Sequence, residues 1–459
     1  MSLARRERKG SAFRKEVDRK LGVRNDDGHQ GGDATFRGLP LNATNMNSLR
    51  KSQIKKSILI GSALASTASL LTAQDSKFDK LEQENMDLKK RLEALEAMAQ
   101  KEGVMPAAKT IPVKALSQTT LSGFVTSSYF YDTSVPGDRV SNGYLWNSSH
   151  NAFSINKVKL TLASPPAERS GDKWDAGYRV SLIFGEDAPI VNTGGNAQGL
   201  EALREAYVDL NVPIGTGLNV RAGQLISLLN YESGDGGAAN ANFSQGYQWF
   251  YTGNGPSTGV QAGYTFTDWL DLKVRVQNGM YAGPFDGNNA KTVMMSLGVK
   301  PDAKTWVNFI GFGGDESSTL SVRGGSILAG RTFGTKFTTG LEFDYFIFDT
   351  GTKSKLWSIG GWLGYDFTPQ IGVALRGEFL DDPDGGGLKG IALGGRTGSA
   401  ITSTDPDGNL ASVTLTLNIK PVPNIKLQPE IRFDTTSYKG GFDGVENRFL
   451  IGMGASYLF

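Results

Sequence analysis

Arg448-Phe449-Leu450-Ile451-Gly452-Met453-Gly454-Ala455-Ser456-Tyr457-Leu458-Phe459 is the stretch whose reading decides the fold. Side chains of an extended chain point alternately to opposite faces. Phe449, Ile451, Met453, Ala455, Tyr457 and Phe459 therefore share one face, and Arg448, Gly452, Gly454 and Ser456 share the other. The first face suits hydrocarbon and the second suits water, the two-residue period of a transmembrane β-barrel.

The period recurs upstream. A first strand is expected over Leu121 to Tyr131. Val158, Leu160 and Leu162 alternate with Lys157, Lys159 and Thr161, and Leu270, Leu272, Val274 and Val276 with Asp271, Lys273, Arg275 and Gln277. Leu341, Phe343, Tyr345 and Ile347 alternate with Glu342 and Asp344, and Val413, Leu415, Leu417 and Ile419 with Thr414, Thr416 and Asn418. Ile425, Leu427, Ile431 and Phe433 alternate with Lys426, Gln428, Glu430 and Arg432. Repetition on this scale predicts an all-β antiparallel transmembrane barrel of about 16 strands, the even number expected of a single chain. Pro429 has no amide to donate, so its strand must bulge or leave one ladder bond unmade. Short connections at Pro213–Gly217, Thr267-Asp268, Pro301–Lys304, Thr368-Pro369 and Pro421–Pro423 read as periplasmic turns, and the longer Gly/Asp/Asn stretches between them as external loops. Tyr129, Tyr131, Tyr264, Phe266, Tyr365 and Phe367 near strand ends fit aromatic girdles. A β-sandwich also alternates, but the export signal described next, the strand number and the loop rhythm argue against it.

The chain has 459 residues with 59 glycines, no cysteine and a net charge of +2. Its mean hydropathy of −0.27 is too low for a bundle of membrane helices. Near-neutral charge argues against a general nucleic-acid binder. Without cysteine there are no disulfides and no thiolate metal sites. Arg50, Lys51, Lys55 and Lys56 precede the apolar run Ile58–Ala65, which continues to Ala73. Residues 46–73 thus read as a secretory signal peptide cut after Ala73, with Ala68 as a second cleavage position. The apolar run falls short of the roughly 20 residues a membrane span needs. Residues 1–45 read as upstream sequence mis-assigned to the chain, translation starting at Met46; an unusually long signal is the alternative. In residues 74–104, Phe78, Asn85, Leu92 and Ala99 hold one heptad position and Leu81, Leu88 and Leu95 the other, a short periplasmic coiled coil. A lone amphipathic helix lying on the barrel or the membrane surface is the alternative. A linker over 105–117 leads to the barrel, 118–459.

Several motifs resemble the OmpL-like β-barrel porin family of bacterial outer membranes. They are Arg204-Glu205-Ala206-Tyr207-Val208-Asp209-Leu210, Gly217–Gln224, Asn242-Phe243-Ser244, Thr258–Ala262 and Val276-Gln277-Asn278-Gly279 followed by Asp286–Asn289. Phe153–Asn156 and Phe184–Ala188 fit as well. The resemblance is good over about residues 118–330, looser beyond, and implies an outer-membrane channel without naming a solute. The chain end is similar to the signal read by the barrel-assembly machinery through Tyr457 and Phe459, with Gly452 where a polar residue usually stands. By analogy with diffusion porins, the third external loop, about Asn230 to Gly255, is expected to fold inward as a constriction, with Tyr231, Glu232, Asp235, Phe243, Tyr247 and Trp249 as its candidates.

The inferred lumen face carries both signs of charge. Lys157, Lys159, Arg179, Arg221, Lys273, Arg275, Arg376, Lys426, Arg432 and Arg448 stand with Glu205, Asp209, Asp271, Glu342, Asp344, Glu378 and Glu430. Mixed charge orders water and favours polar solutes over apolar ones. The alternative is that these groups pair across neighbouring strands and select nothing. Hydrolase chemistry has little to draw on: His29 lies in the leader, and His150 follows Ser148-Ser149 without a nucleophile–base–orienter arrangement. Asp382-Pro383-Asp384-Gly385 and Asp405-Pro406-Asp407-Gly408 read as turns rather than Ca²⁺ loops. The expectation is a porin admitting small hydrophilic solutes, homotrimeric, with no cofactor, metal or enzymatic activity. Its partners would be outer-membrane lipid, the assembly machinery and, in a tethering alternative, peptidoglycan bound through the coiled coil.

Overall fold

The computed structural model describes residues 83, 86–91, 118–143, 147–192, 200–280, 282–283, 286–388, 401 and 403–459. The chain divides into two units, residues 1–109 and 110–459. In the first, residues 86–91 are helical. Arg91 Nε lies 3.3 Å from the Asp87 carboxylate one turn earlier. The leader, the signal peptide, the linker and most of the heptad seam lie outside the described residues.

The second unit is a barrel. Its strands are β1 (Thr120–Asp132), β2 (Ala152–Ala163), β3 (Asp175–Phe184), β4 (Leu203–Val212), β5 (Leu218–Leu225), β6 (Ser257–Thr267), β7 (Leu270–Gln277) and β8 (Thr292–Asp302). They continue as β9 (Thr305–Ser317), β10 (Leu320–Phe333), β11 (Phe337–Asp349), β12 (Lys353–Asp366), β13 (Ile371–Asp382), β14 (Gly408–Val422), β15 (Ile425–Thr436) and β16 (Asn447–Leu458). Each pairs antiparallel with its neighbours in sequence, and β16 pairs with β1, so all sixteen close on themselves. Closure leaves no sheet edge to be satisfied within hydrocarbon. At the seam Gly123 N–H donates to the Phe459 carbonyl at 2.9 Å, and Phe459 N–H returns a bond of 3.0 Å.

Alternation sets which way each side chain faces. Leu160, Leu162, Leu341, Val413, Ile431, Ile451, Met453 and Tyr457 are exposed on the outer surface, as their sequence period requires. Around Pro429, the β14–β15 register passes from Thr416↔Glu430 to Ile419↔Leu427 with no paired residues between. Pro429 still sits opposite Met453 of β16. The interrupted ladder therefore falls where the missing amide demands it.

The five short connections expected as turns all lie at the barrel end that carries residues 118 and 459, here the turn end. At the opposite, loop end the connections are L1 (133–151), L2 (185–202), L3 (226–256), L4 (278–291), L5 (318–319), L6 (350–352), L7 (383–407) and L8 (437–446). L5 and L6 are as short as the turns, so the long–short rhythm breaks at β9–β12. L2 holds a short helix, α1 (Ala188–Val191). L3 holds a 3₁₀ turn (Gly236–Ala238) and α2 (Tyr247–Tyr251).

The interior is not uniformly polar. Toward the loop end Ile183, Met294, Phe312, Phe346, Phe348, Leu356, Leu380 and Leu410 point inward and are buried. They form one apolar cluster with Tyr247 and Tyr251 of α2, Met280 of L4, and Tyr438 and Phe442 of L8. Removing such side chains from water stabilises by roughly 1.5–3 kcal/mol each. Part of the expected watery lumen is therefore a packed core.

Candidate channel interior

L3 leaves β5 at Leu225, runs inside the barrel and rejoins the wall at Ser257. Its path is set by wall carboxylates that accept its backbone amides. Tyr231 N–H donates to Glu342 Oε2 at 2.8 Å, and Phe243 and Ser244 N–H donate to Glu430 at 2.8 and 3.1 Å. Tyr247 and Gln248, the first residues of α2, donate to Glu378 at 3.1 and 3.0 Å. These are amides that a helix start leaves without internal partners, and a carboxylate satisfies them well.

Wall cations hold the carbonyls of the same loop. Arg376 Nη1 donates to Ser244 O at 2.6 Å, Arg432 Nη1 to Gln245 O at 2.8 Å and Lys426 Nζ to Gly237 O at 2.8 Å. Gln248 Nε2 donates to Asp344 Oδ2 at 3.0 Å, and Thr252 Oγ1 to the same oxygen at 2.7 Å. Arg376 also pairs with Glu232 of the loop at 2.7 Å and with Glu378 at 3.1 Å. Arg432 pairs with Asp434 at 2.6 Å, and Arg448 with Asp132 and Asp434 at 3.1 Å each. Burial pushes the Glu232 carboxyl up, and the Arg376 guanidinium opposes that shift.

Rings lock the loop further. Tyr231 stacks between Trp362 and Trp306, with ring centroids at 4.6 and 5.9 Å. Phe243 stacks on Phe130 at 5.8 Å and packs with Leu450. The Arg432 guanidinium lies 4.3 Å above the Tyr247 ring, and Trp249 packs against the apolar cluster. Two wall glycines permit this approach: the Phe243 ring occupies the space a Cβ of Gly454 would need, and the Tyr231 ring that of Gly340. Gly454→Val should displace Phe243 and cost roughly 1–3 kcal/mol of stability by overpacking. A thermal unfolding midpoint in detergent reads the loss; an unchanged midpoint would mean that Phe243 moves aside freely.

All seventeen charged candidates for the lumen lie on the inner face: Arg448 is buried in its pairs with Asp132 and Asp434, and the other sixteen fall into two different settings. Glu342, Asp344, Arg376, Glu378, Lys426, Glu430 and Arg432, on β11, β13 and β15, are buried beneath L3 and bind it. Lys157, Lys159, Arg179, Glu205, Asp209, Arg221, Asp271, Lys273 and Arg275 lie on β2–β7. There Lys157 pairs with Asp187 of L2 at 2.8 Å and Lys159 with Asp235 of L3 at 2.7 Å. Arg179–Glu205 at 2.5 Å, Arg221–Asp209 at 3.2 Å and Lys273–Asp271 at 3.7 Å pair within the wall. Arg179, Tyr207, Arg221, Thr265, Asp271, Lys273 and Asn308 keep partial exposure on the inner face of β3–β9.

Sequence reasoning missed the apolar inner cluster and the buried Arg204, whose Nη1 donates to the Val191 carbonyl. The run Tyr345-Phe346-Ile347-Phe348 held a signal: a strand apolar on both faces is covered on both. His150 is occupied structurally, its Nδ1 accepting the Asp132 amide at 3.0 Å, while Ser149 Oγ bonds to Glu186. Asp382 accepts the amides of Gly387 and Leu388 at 3.0 and 2.7 Å, and Asp405 that of Lys439 at 2.6 Å, so both aspartates brace loops. Among the described residues no cluster of three or more His, Asp or Glu is arranged to hold a metal.

A closed sixteen-strand antiparallel barrel with an apolar outer surface and a charged interior is the architecture of a bacterial outer-membrane channel. The family described as "Putative beta-barrel porin-2, OmpL-like" matches residues 118–459, and the chain belongs to it. It is an outer-membrane porin, in contact with outer-membrane lipid. No curated protein matches the chain in sequence. Among solved structures its fold is similar to Pseudomonas putida OprB at high pH, with 11% identity over 76% of this chain and 96% of that one and a TM-score of 0.50. Similar too are the outer-membrane channel DcaP of Acinetobacter baumannii (14% identity, 74% and 97% coverage, TM-score 0.47) and the trimer form of in-vitro folded Vibrio cholerae OmpT (11%, 74% and 99%, TM-score 0.49).

Proposed function

We propose that this porin passes small hydrophilic solutes by passive diffusion, through an aqueous passage between L3 and the wall formed by β3–β9. One observation carries the reading: L3 is bonded to the inner face of β11, β13 and β15, while Arg179, Tyr207, Arg221, Lys273 and Asn308 opposite retain contact with water. Narrowing by a loop fixed through charged groups sets an upper size for a solute and leaves polar groups to replace its hydration. Tyr231, Glu232, Asp235, Phe243, Tyr247 and Trp249 are then the body of the constriction. The turn end faces the periplasm in this reading. His150 and Asp382 serve the fold, which favours a channel over an enzyme.

Liposome swelling with uncharged sugars of increasing size tests the proposal. Small sugars should enter rapidly and disaccharides slowly; equal exclusion of all would contradict it. We propose further that the protein is a homotrimer inserted by the barrel-assembly machinery, the heptad spacing of residues 74–104 supporting association at the periplasmic side. Crosslinking in native membranes should reach three copies and stop; arrest at two would contradict the trimer. Binding of that segment to peptidoglycan is the tethering reading, and a sedimentation assay with and without residues 74–104 separates it from conduction.

A further inference from the structure

We infer that the passage is anion-selective, and that Arg179, Arg221 and Lys273 determine the selectivity by facing the water more fully than their carboxylate partners, of which Glu205 and Asp209 are buried. The inference rests on the channel reading above and names the solute class. In each pair the two charges are unequally available. Side-chain exposure is 37% for Arg179 against 4% for Glu205, and 32% for Arg221 against 4% for Asp209. It is 34% for Lys273 against 17% for Asp271.

The buried acids are also spent. Glu205 accepts Ser181 Oγ at 2.9 Å besides Arg179, and Asp209 accepts Asn219 Nδ2 at 2.6 Å besides Arg221. Each guanidinium meets its carboxylate through Nε alone. A guanidinium has five donors in a planar fork, so the Nη groups of both arginines remain free to bind a passing carboxylate, phosphate or halide.

The cations belong to one stretch of wall. Arg179 is opposite Tyr207 in the β3–β4 ladder, Asp209 opposite Arg221 in β4–β5, and Gly263 opposite Lys273 in β6–β7. Arg221 lies 5.1 Å over the Tyr207 ring. Behind them Arg275 adds a charge with no carboxylate partner: it donates to Gln261 Oε1 at 2.8 Å and to the Ile226 carbonyl at 2.8 Å, both neutral. On the far side the charges are covered by L3, so they contribute little to what a solute meets. Asp235 keeps 23% exposure but is bound to Lys159. A low-dielectric wall concentrates the resulting positive field on the passage.

Reversal potentials of the full-length protein in a planar bilayer under a KCl gradient test this. The wild type should favour Cl⁻ over K⁺ on the order of threefold or more at 0.1 M, with the preference falling at 1 M as screening shortens from about 10 to 3 Å. The double variant R221Q/K273Q, still conducting, should lose most of the preference, and R221E/K273E should reverse it. Lys336→Gln, exposed at a turn, controls for general charge effects and should change nothing. A conducting wild type that prefers K⁺ overturns the inference, as does an anion preference unmoved in both double variants. Absence of any conductance would instead strike the channel reading, so the two failures are distinguishable.

Discussion

Excision of residues 231–253 should raise single-channel conductance about twofold or more, because conductance follows the open cross-section and L3 occupies much of it. The cut is geometrically mild: Gly253 already lies against the Asn230 side chain, so the new ends are neighbours. It exposes Arg376, Glu378, Glu430 and Arg432 to water, converting buried pairs into lumen-lining ones. It also removes Tyr247 and Tyr251 from the apolar cluster, so the loop end of the barrel should lose stability while strand pairing persists. The sugar size limit in liposomes should rise together with conductance. Unchanged conductance in a folded deletion variant would show that L3 is not the narrowest part of the passage.

Arg376→Ala should have the largest effect of any single side-chain change. Its guanidinium joins Glu232, Glu378, the Ser244 carbonyl and Thr414 Oγ1, all out of contact with solvent. Its loss strands two buried carboxylates, and breaking such a cluster costs about 3–5 kcal/mol. Because Glu232 and Ser244 belong to L3, the cost falls on the attachment of the loop rather than on the strand ladder. Chymotrypsin, for which Phe243, Tyr247, Trp249, Phe250 and Tyr251 are sites, should then cut within 231–253 while the barrel stays resistant, and current traces should become noisy. Glu232→Met combined with Arg376→Met should recover part of the loss, since an apolar replacement leaves fewer unpaired charges. Protection of L3 equal to wild type in Arg376→Ala would contradict this assignment.

The outer half of the structure was open to sequence reading because alternation is local. Leu415 faces lipid and Thr416 the interior by chain geometry alone, whatever the rest of the barrel does. Pro429 announced its broken ladder for the same reason. The interior was less legible. Lys426 and Arg221 look alike in sequence, each a cation on an inward strand face. One is covered by Gly237 and Asn240 of a loop nearly two hundred residues earlier in the chain, and the other is left in contact with water. That difference depends on where L3 lies, which contacts distant in sequence decide. Glycine was readable as frequent, but its use at Gly340 and Gly454 emerges only when Tyr231 and Phe243 are seen against them. The apolar inner cluster was partly visible in Tyr345-Phe346-Ile347-Phe348, yet its partners come from L3, L4 and L8 and carry no periodic signal.

Planar-bilayer recording of the purified protein over a range of KCl concentrations tests the central claim most directly. A water-filled passage predicts discrete upward steps on insertion, with a unit conductance that rises nearly in proportion to salt. A barrel that inserts in its folded, protease-resistant form and never conducts would contradict it.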